Sequence, residues 1–160
     1  CRCGPCPVTV PAMHKWWLAI AAVAGVFVLI QLVPYGHDHG NPPVTQDAPW
    51  ADPAARSIAL RSCYDCHSNQ TTWRWYDKVA PVSWYVQNHI SEGRSSLNFS
   101  EWDRPQRVGE ARETVLGGSM PPTSYTLLHP SAKLSDAEKQ VLVAALESLP
   151  GQRGGRGGRD

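Results

Sequence analysis

The sequence predicts an all-α protein, a small helical domain preceded by a single transmembrane helix. Residues 16–33 form an apolar run in which Gln31 is the only polar side chain. Several later segments repeat apolar residues at helical spacing, and no segment shows the alternation that is typical of a strand. The chain has 160 residues, which suffices for one domain with attachments.

Composition narrows the possible partners. The formal net charge is only +1, so nucleic acid is not expected as a partner. With 13 Gly and 14 Pro, the chain should have long connections and short helices. We predict five segments: residues 1–12 as a start-site artefact, 13–35 as a membrane anchor, 36–51 as a linker, 52–150 as the folded domain, and 151–160 as a disordered Arg/Gly tail.

The apolar run predicts an uncleaved anchor that contacts the lipid bilayer through residues 16–33. A helix of this length measures about 27 Å at ~1.5 Å per residue, close to the hydrocarbon thickness of a bilayer. Lys15 precedes the run, so the positive-inside rule exports everything after Pro34. A cleaved signal peptide is the alternative, but no small-x-small cleavage site follows the run.

Residues 1–12 do not fit this plan. They show no periodicity and contain three of the five cysteines, Cys1, Cys3 and Cys6. Met13 opens a segment that looks like a complete N-terminal region, and we therefore predict that translation starts there. The alternative is that the three cysteines bind a metal ion.

Two helices are predicted around the centre of the chain. The first spans residues 52–61, with Asp52 as N-cap and Pro53 at the first helical position. The second spans residues 82–92 and is ended by Gly93. Its apolar face follows the i, i+3, i+4, i+7 rule and comprises Val82, Tyr85, Val86 and His89.

Two more helices are predicted in the C-terminal half. One spans residues 105–116 and is followed by two glycines. The other begins at a capping box of Ser135 and Glu138 and ends before Pro150. Its buried stripe comprises Val141, Leu142, Ala145, Leu146 and Leu149.

The most specific motif is CYDCH at residues 63–67, which has the CxxCH spacing of covalent haem attachment. Two thiols three positions apart at a helix end can reach the two vinyl groups of one haem. The adjacent His67 then points its imidazole at the iron. We therefore predict that Cys63 and Cys66 bind haem covalently and that His67 is the proximal ligand.

Three other interpretations of the two thiols are weaker. A thioredoxin-like dithiol needs a βαβ context, and no strand pattern precedes Cys63. A zinc site needs a second ligand pair, and no further cysteine follows Cys66. A structural disulfide between them leaves His67 without a role.

Met120 is the predicted sixth ligand of the iron. It lies in the loop GGSMPP at residues 117–122, where flanking glycines permit a close approach and prolines stiffen the backbone. His89 is the rival, since it lies on the apolar face of the second helix. His129 ranks third, as a partner for a haem propionate or a backbone carbonyl.

Further motifs in residues 50–149 extend the pattern: Pro81, the Gly93–Arg94 step, LNFS at 97–100, MPP at 120–122 and the His129–Pro130 pair. With them the chain resembles the haem-binding domain family of small bacterial c-type cytochrome proteins. The resemblance implies a small cytochrome c-like helical domain around one covalent haem c, on Cys63 and Cys66 with His67 as axial ligand. It also implies a bacterial envelope location and an N-terminal anchor.

A haem propionate needs a cationic partner. Arg74 and Arg94 are the candidates, and we predict Arg94 because it lies beside the helix stop at Gly93.

The predicted function is one-electron transfer by a membrane-anchored monohaem c-type cytochrome domain. Two protein ligands leave no open position on the iron, so no enzyme activity is expected. The predicted partners are membrane or periplasmic redox proteins, and the predicted location is the bacterial inner membrane, single-pass, with the haem domain on the periplasmic side.

Two other functions remain open. The first is a haem-based sensor or gas-binding module, in which Met120 is a displaceable sixth ligand. The second is a peroxidase-like activity, which lacks a clear distal acid–base pair because His89 has no evident carboxylate partner.

Overall fold

The computed structural model describes residues 13–150, and within them the chain is all-helical. One isolated parallel bridge, Gln46 to Glu101, is the only extended pairing there. The predicted start-site artefact and disordered tail, residues 1–12 and 151–160, lie outside the described residues. The helices are α1 (Met13–Ile30), α2 (Pro53–Ser62), α3 (Tyr64–His67), α4 (Val82–Ser96), α5 (Val108–Leu116), α6 (Thr123–Leu128) and α7 (Asp136–Ser148), with 3-10 turns at Trp75–Lys78 and Pro130–Ala132.

The prediction of a transmembrane helix is wrong. In the described part of the chain, no helix is both long and apolar enough to cross a bilayer. Helix α1 ends at Ile30 rather than Val33, and its first turn includes Lys15. The apolar part therefore measures only about 22 Å at ~1.5 Å per residue, against a hydrocarbon core of about 30 Å. This finding also contradicts the single-pass inner-membrane location.

Gln31 shows why the apolar run does not continue as one helix. Its Nε2 donates to the Ala80 carbonyl at 3.0 Å, and its Oε1 accepts from the Ala80 amide at 2.9 Å. The side chain thus binds both backbone groups of a residue 49 positions away. Hydropathy along the chain carries no sign of this long-range contact.

Residues 36–51, predicted as a linker, pack along the domain. The Ala48 amide donates to the Phe99 carbonyl at 2.7 Å, and Ala48 is buried. The Trp102 amide donates to the Gln46 carbonyl at 2.9 Å. This segment therefore covers one side of the core.

The core lies where α7 packs against α2 and α5. Its centre is the fully buried Phe99, whose ring lies 5.1 Å from Tyr64 and 6.2 Å from Trp102 in nearly parallel stacks. Such offset aromatic pairs are favourable beyond the area that they bury. The aliphatic part of the core includes Ile58 and Ala59 from α2, Val115 from α5, and Leu142 and Leu146 from α7.

Both predicted N-caps are present. Asp52 accepts a hydrogen bond from the Ala54 amide at 2.9 Å, and Ser135 and Glu138 form the reciprocal capping box of α7. Helix α5, in contrast, starts at Val108 instead of the predicted residue 105. The cause is Gln106, whose side chain binds the backbone of the preceding loop and holds this stretch outside the helix.

Helix α4 continues beyond Gly93, so this glycine is not a helix stop. A Cβ at Gly93 would lie 2.6 Å from the Cys66 carbonyl oxygen. The glycine therefore permits α4 to approach the CxxCH turn. The predicted apolar face is also wrong in register, because Val82 and Tyr85 are exposed whereas Ile90 is buried.

Replacing Gly93 by Ala should push α4 away from the CxxCH turn. We expect the G93A variant to lose about 1–3 kcal/mol in free energy of unfolding, since the added methyl group meets backbone that cannot rotate away. Gly109→Ala is the matched control, because a Cβ there meets nothing within 4 Å. Urea unfolding of both variants measures the difference, and equal stabilities would contradict the close-approach role.

Candidate functional site

The CxxCH motif forms the turn between α2 and α3. The Cys63 amide donates to the Ala59 carbonyl at 2.8 Å and thus completes α2. The Cys63 carbonyl then accepts from the amides of Cys66 and His67, at 3.1 and 2.9 Å. The break between the helices therefore falls at the first cysteine and makes the motif a compact, hydrogen-bonded unit.

One cavity of about 250 Å³ brings the predicted site residues together, because Cys63, Cys66, His67 and Met120 all line it. The apolar wall comprises Leu97, Phe99, Val115, Leu142 and Leu146. Besides these site residues, the polar residues at this cavity are Ser62, Asp65, His89, Glu92, Ser96, Arg107, Glu110, Thr114 and Tyr125. A mostly apolar cavity with few polar groups is typical of a cofactor site.

The imidazole of His67 is held by α4. Its Nδ1 lies 3.0 Å from the Leu97 carbonyl oxygen and 3.1 Å from that of Gly93. Since both partners only accept, Nδ1 carries the proton and Nε2 keeps its lone pair. Burial lowers the pKa of His67, although the two carbonyl contacts oppose this. The ring is therefore neutral at pH 7 and has the tautomer that a metal ligand needs.

The two thiols are free and protonated. Burial raises the pKa of Cys63 to about 12, with a further contribution from the charge of Cys66. Burial likewise raises the pKa of Cys66 to about 11, and the nearby charge of Asp65 adds to it. A redox-active dithiol shows the opposite shift, toward an easily formed thiolate. The surroundings thus disfavour the thioredoxin-like interpretation.

Zinc is disfavoured on separate grounds. Across residues 13–150, no group of three or more His, Cys, Asp or Glu side chains is placed to hold a metal ion. Structural zinc sites use four such ligands.

Met120 reaches the cavity from the loop after α5. The amides of Ser119 and Met120 both donate to the Thr114 carbonyl, at 3.0 and 3.1 Å. Gly118 has φ of +75°, the left-handed region that favours glycine. Pro121 also lines the cavity. The loop therefore turns back over the end of α5 and presents the thioether to the cavity.

The two rival histidines differ in their surroundings. His89 lines the cavity, with Nδ1 donating to the Tyr85 carbonyl at 2.9 Å. His129 is not in the cavity wall: its Nδ1 donates to the Tyr125 carbonyl, and its Nε2 accepts from the Tyr76 hydroxyl at 2.8 Å. His89 thus stays a rival for the sixth position, and His129 binds the backbone carbonyl.

Arg94 does not line the cavity. Its Nε donates to the Ser68 carbonyl at 2.8 Å, and its Nη2 donates to the Thr71 hydroxyl at 2.9 Å. Arg107, which sequence reasoning did not single out, does line the cavity. Its side chain is 67% exposed and lies 3.5 Å from Glu110, so its guanidinium is loosely held.

Asp65 is a second residue that sequence reasoning missed. It lies inside the CxxCH motif, and its Oδ2 accepts from the Tyr125 hydroxyl at 2.7 Å and from Arg74 at 2.9 Å. Burial alone would raise the pKa of Asp65, but bonds from Tyr125, the Thr72 amide and Arg74 hold it below its usual value. The only sequence signal for it was its place in the motif.

The residues present fit a haem. Two protonated thiols, a neutral imidazole with a free Nε2 and a thioether line the same apolar cavity. Comparison with protein families agrees with this chemistry, since the family described as haem-binding domain matches residues 25–148. No curated protein and no solved structure matches the chain.

Arg94 should stabilise the fold. We expect Arg94→Ala to lower the free energy of unfolding by about 1–3 kcal/mol, because the carbonyl of the fully buried Ser68 loses its donor. Arg112→Ala is the control, since its ion pair with Glu147 is about half exposed and worth less than ~1 kcal/mol. Urea unfolding compares the two variants. A stable Arg94→Ala with an altered midpoint potential would favour the propionate role instead.

Proposed function

We infer the function from one premise: the chain belongs to the haem-binding domain family. It is therefore a haem-binding protein. We propose that it carries one haem c, bound covalently, and that it transfers single electrons to and from redox proteins. The observation that carries the proposal is the shared cavity of Cys63, Cys66, His67 and Met120.

Cys63 and Cys66 hold the haem through two thioethers in this proposal. Their raised pKa values keep both sulfurs protonated and out of thiolate chemistry until attachment. Covalent attachment suits a domain of this size, because the cofactor then supplies apolar surface that the protein core lacks. Bound haem would supply an iron couple that changes by one electron.

His67 and Met120 are the proposed axial ligands. His67 offers Nε2, and its Nδ1–H bonds to the carbonyls of Gly93 and Leu97 fix the orientation of the ring. Met120 offers a thioether from a loop stiffened by prolines. Two protein ligands exclude a substrate from the iron, which favours electron transfer over catalysis. Met ligation also raises the reduction potential.

Arg107 is our proposed partner for a haem propionate. Among residues 13–150 it is the one arginine in the cavity wall. Its ion pair with Glu110 is long and exposed, so its guanidinium can turn toward an anion. The sequence prediction of Arg94 stays a prediction, although the bonds that it makes to Ser68 and Thr71 already engage its guanidinium.

Gas binding is the second candidate function, and one observation favours it. Met120 and Pro121 also line a second cavity, of about 410 Å³, on the side of the loop that faces Lys133 and Leu134. The loop therefore borders two cavities. A sixth ligand with room to withdraw can admit a small molecule to the iron.

Removal of both thiols tests covalent attachment. In Cys63→Ala/Cys66→Ala we expect no stoichiometric covalent haem in a pyridine haemochrome assay, and a largely unfolded domain, because the cofactor completes the core. Each single variant should keep one thioether and give an intermediate spectrum. Stoichiometric covalent haem in the double variant would contradict the attachment.

Met120→Ala tests the sixth ligand. The haem should stay attached, the midpoint potential should fall because a thioether favours ferrous iron, and CO should bind the reduced protein faster. Met120→His should restore six-coordination at a lower potential. His89→Ala is the control and should change little. A high-spin His89→Ala beside an unchanged Met120→Ala would assign the sixth position to His89.

A further inference from the structure

One hydrogen bond joins the CxxCH turn (residues 63–67) to the Met120 loop and its following helix (residues 117–128). The Tyr125 hydroxyl donates to Oδ2 of Asp65 at 2.7 Å, across 60 positions of the chain. It is the only hydrogen bond between these two segments among the residues that the structure describes. Both side chains line the same cavity as Met120.

We propose that Tyr125 is a positioning residue, which acts through Asp65 to hold the Met120 loop closed over the cavity. The bond thereby keeps the Met120 sulfur in place as sixth ligand. This inference rests on the ligand assignment in the proposed function. It adds the contact that determines how firmly Met120 is held in the sixth position.

Asp65 is a rigid anchor for this bond. Arg74 donates to the same carboxylate oxygen at 2.9 Å, and the Thr72 amide donates to the other oxygen at 3.1 Å. The Asp65 side chain is only 16% exposed. Hydrogen bonds to an ionised acceptor are short and strong, and partial burial limits competition from water.

Tyr125 is stiffly connected to Met120. The amides of Tyr125 and Thr126 both donate to the Pro122 carbonyl at 3.0 Å, which makes one rigid turn at the start of α6. Between that turn and Met120 lies only Pro121, whose ring fixes its φ. A shift of Tyr125 therefore moves Pro122 and, through it, Met120.

Packing alone does not hold this loop closed. Met120 and Pro121 also line the second cavity, so the loop is not enclosed by protein atoms alone. The other hydroxyl hydrogen bond to α6 joins Tyr85 and Ser124 at 2.9 Å, and it is exposed. Water competes with such a contact, and neither partner is charged. Of these two hydroxyl bonds, Asp65–Tyr125 is therefore the stronger restraint on α6. The bonds from the Ser119 and Met120 amides to the Thr114 carbonyl hold the loop to α5, not to the CxxCH turn.

Tyr125→Phe in the haem-loaded full chain tests the inference. The ring stays in place and only the hydroxyl is lost. We expect the haem to remain covalently bound, CO to associate with the reduced protein about tenfold faster or more, and the midpoint potential to fall. Tyr85→Phe is the matched control, because it also loses one hydroxyl bond at α6. Its CO rate should stay within about threefold of wild type.

Asp65→Ala gives a second line of evidence. Arg74 and Thr72 then lose their acceptor as well, so this variant alone is ambiguous. In the double variant Asp65→Ala/Tyr125→Phe, however, the loss of the tyrosine hydroxyl should add nothing to the CO rate. Such non-additivity is the signature of two groups that act through one bond.

The outcomes separate the inference from the proposed function. If Met120→Ala speeds CO binding while Tyr125→Phe matches Tyr85→Phe, the ligand assignment stands and the positioning role of Tyr125 is wrong. If Met120→Ala keeps the wild-type spectrum and CO rate, both the ligand assignment and the positioning role are wrong. Equal acceleration in Tyr125→Phe and Tyr85→Phe would mean general loosening of α6 and would also overturn the inference.

Discussion

The close approach of the CxxCH turn to α4 is the constraint on which the site depends. It requires a residue without Cβ at Gly93, where a side chain would meet the Cys66 carbonyl at 2.6 Å. Because α4 lies so close to the turn, the carbonyls of Gly93 and Leu97 accept from Nδ1 of His67. The Phe99 amide donates to the His67 carbonyl at 2.8 Å. One contact thus sets the tautomer of His67, the position of the thiols and the place of the central core ring.

The cavity and the core share several apolar side chains. Leu142 and Leu146 of α7 belong to the core on one side and to the cavity wall on the other. Phe99 has the same double role. A chain of this size buries a smaller fraction of its surface than a large one. A haem bound in this cavity would complete the core, so stability and haem loading should be strongly coupled.

Local signals in the sequence predicted what depends on neighbours in the chain, such as the Asp52 cap, the capping box at Ser135 and the grouping of the CxxCH cysteines with His67. Contacts between distant residues carried no such signal. Hydropathy gave no sign of the two hydrogen bonds between the Gln31 side chain and the Ala80 backbone, and the transmembrane prediction failed at this point. The sequence marked Gly93 as a helix stop. The actual reason for a glycine there, its close contact with Cys66, 27 positions earlier, could not be inferred from the sequence. Asp65 and Tyr125 lie too far apart for any motif to join them.

The two proposed functions differ in one equilibrium, between a Met120 loop seated over the cavity and a loop withdrawn toward the second one. Electron transfer needs the seated state to dominate in both oxidation states, because a ligand change at each electron would add a reorganisation cost. Gas binding needs the withdrawn state to be populated at a few per cent, since apparent affinity scales with that fraction. The chain carries features for both, a partly buried hydrogen bond to a carboxylate that joins α6 to the CxxCH turn and a second cavity that borders the loop. A change of about 1.4 kcal/mol in that bond would shift the ratio tenfold, so under the two proposals the strength of the Asp65–Tyr125 bond would decide which function this fold favours.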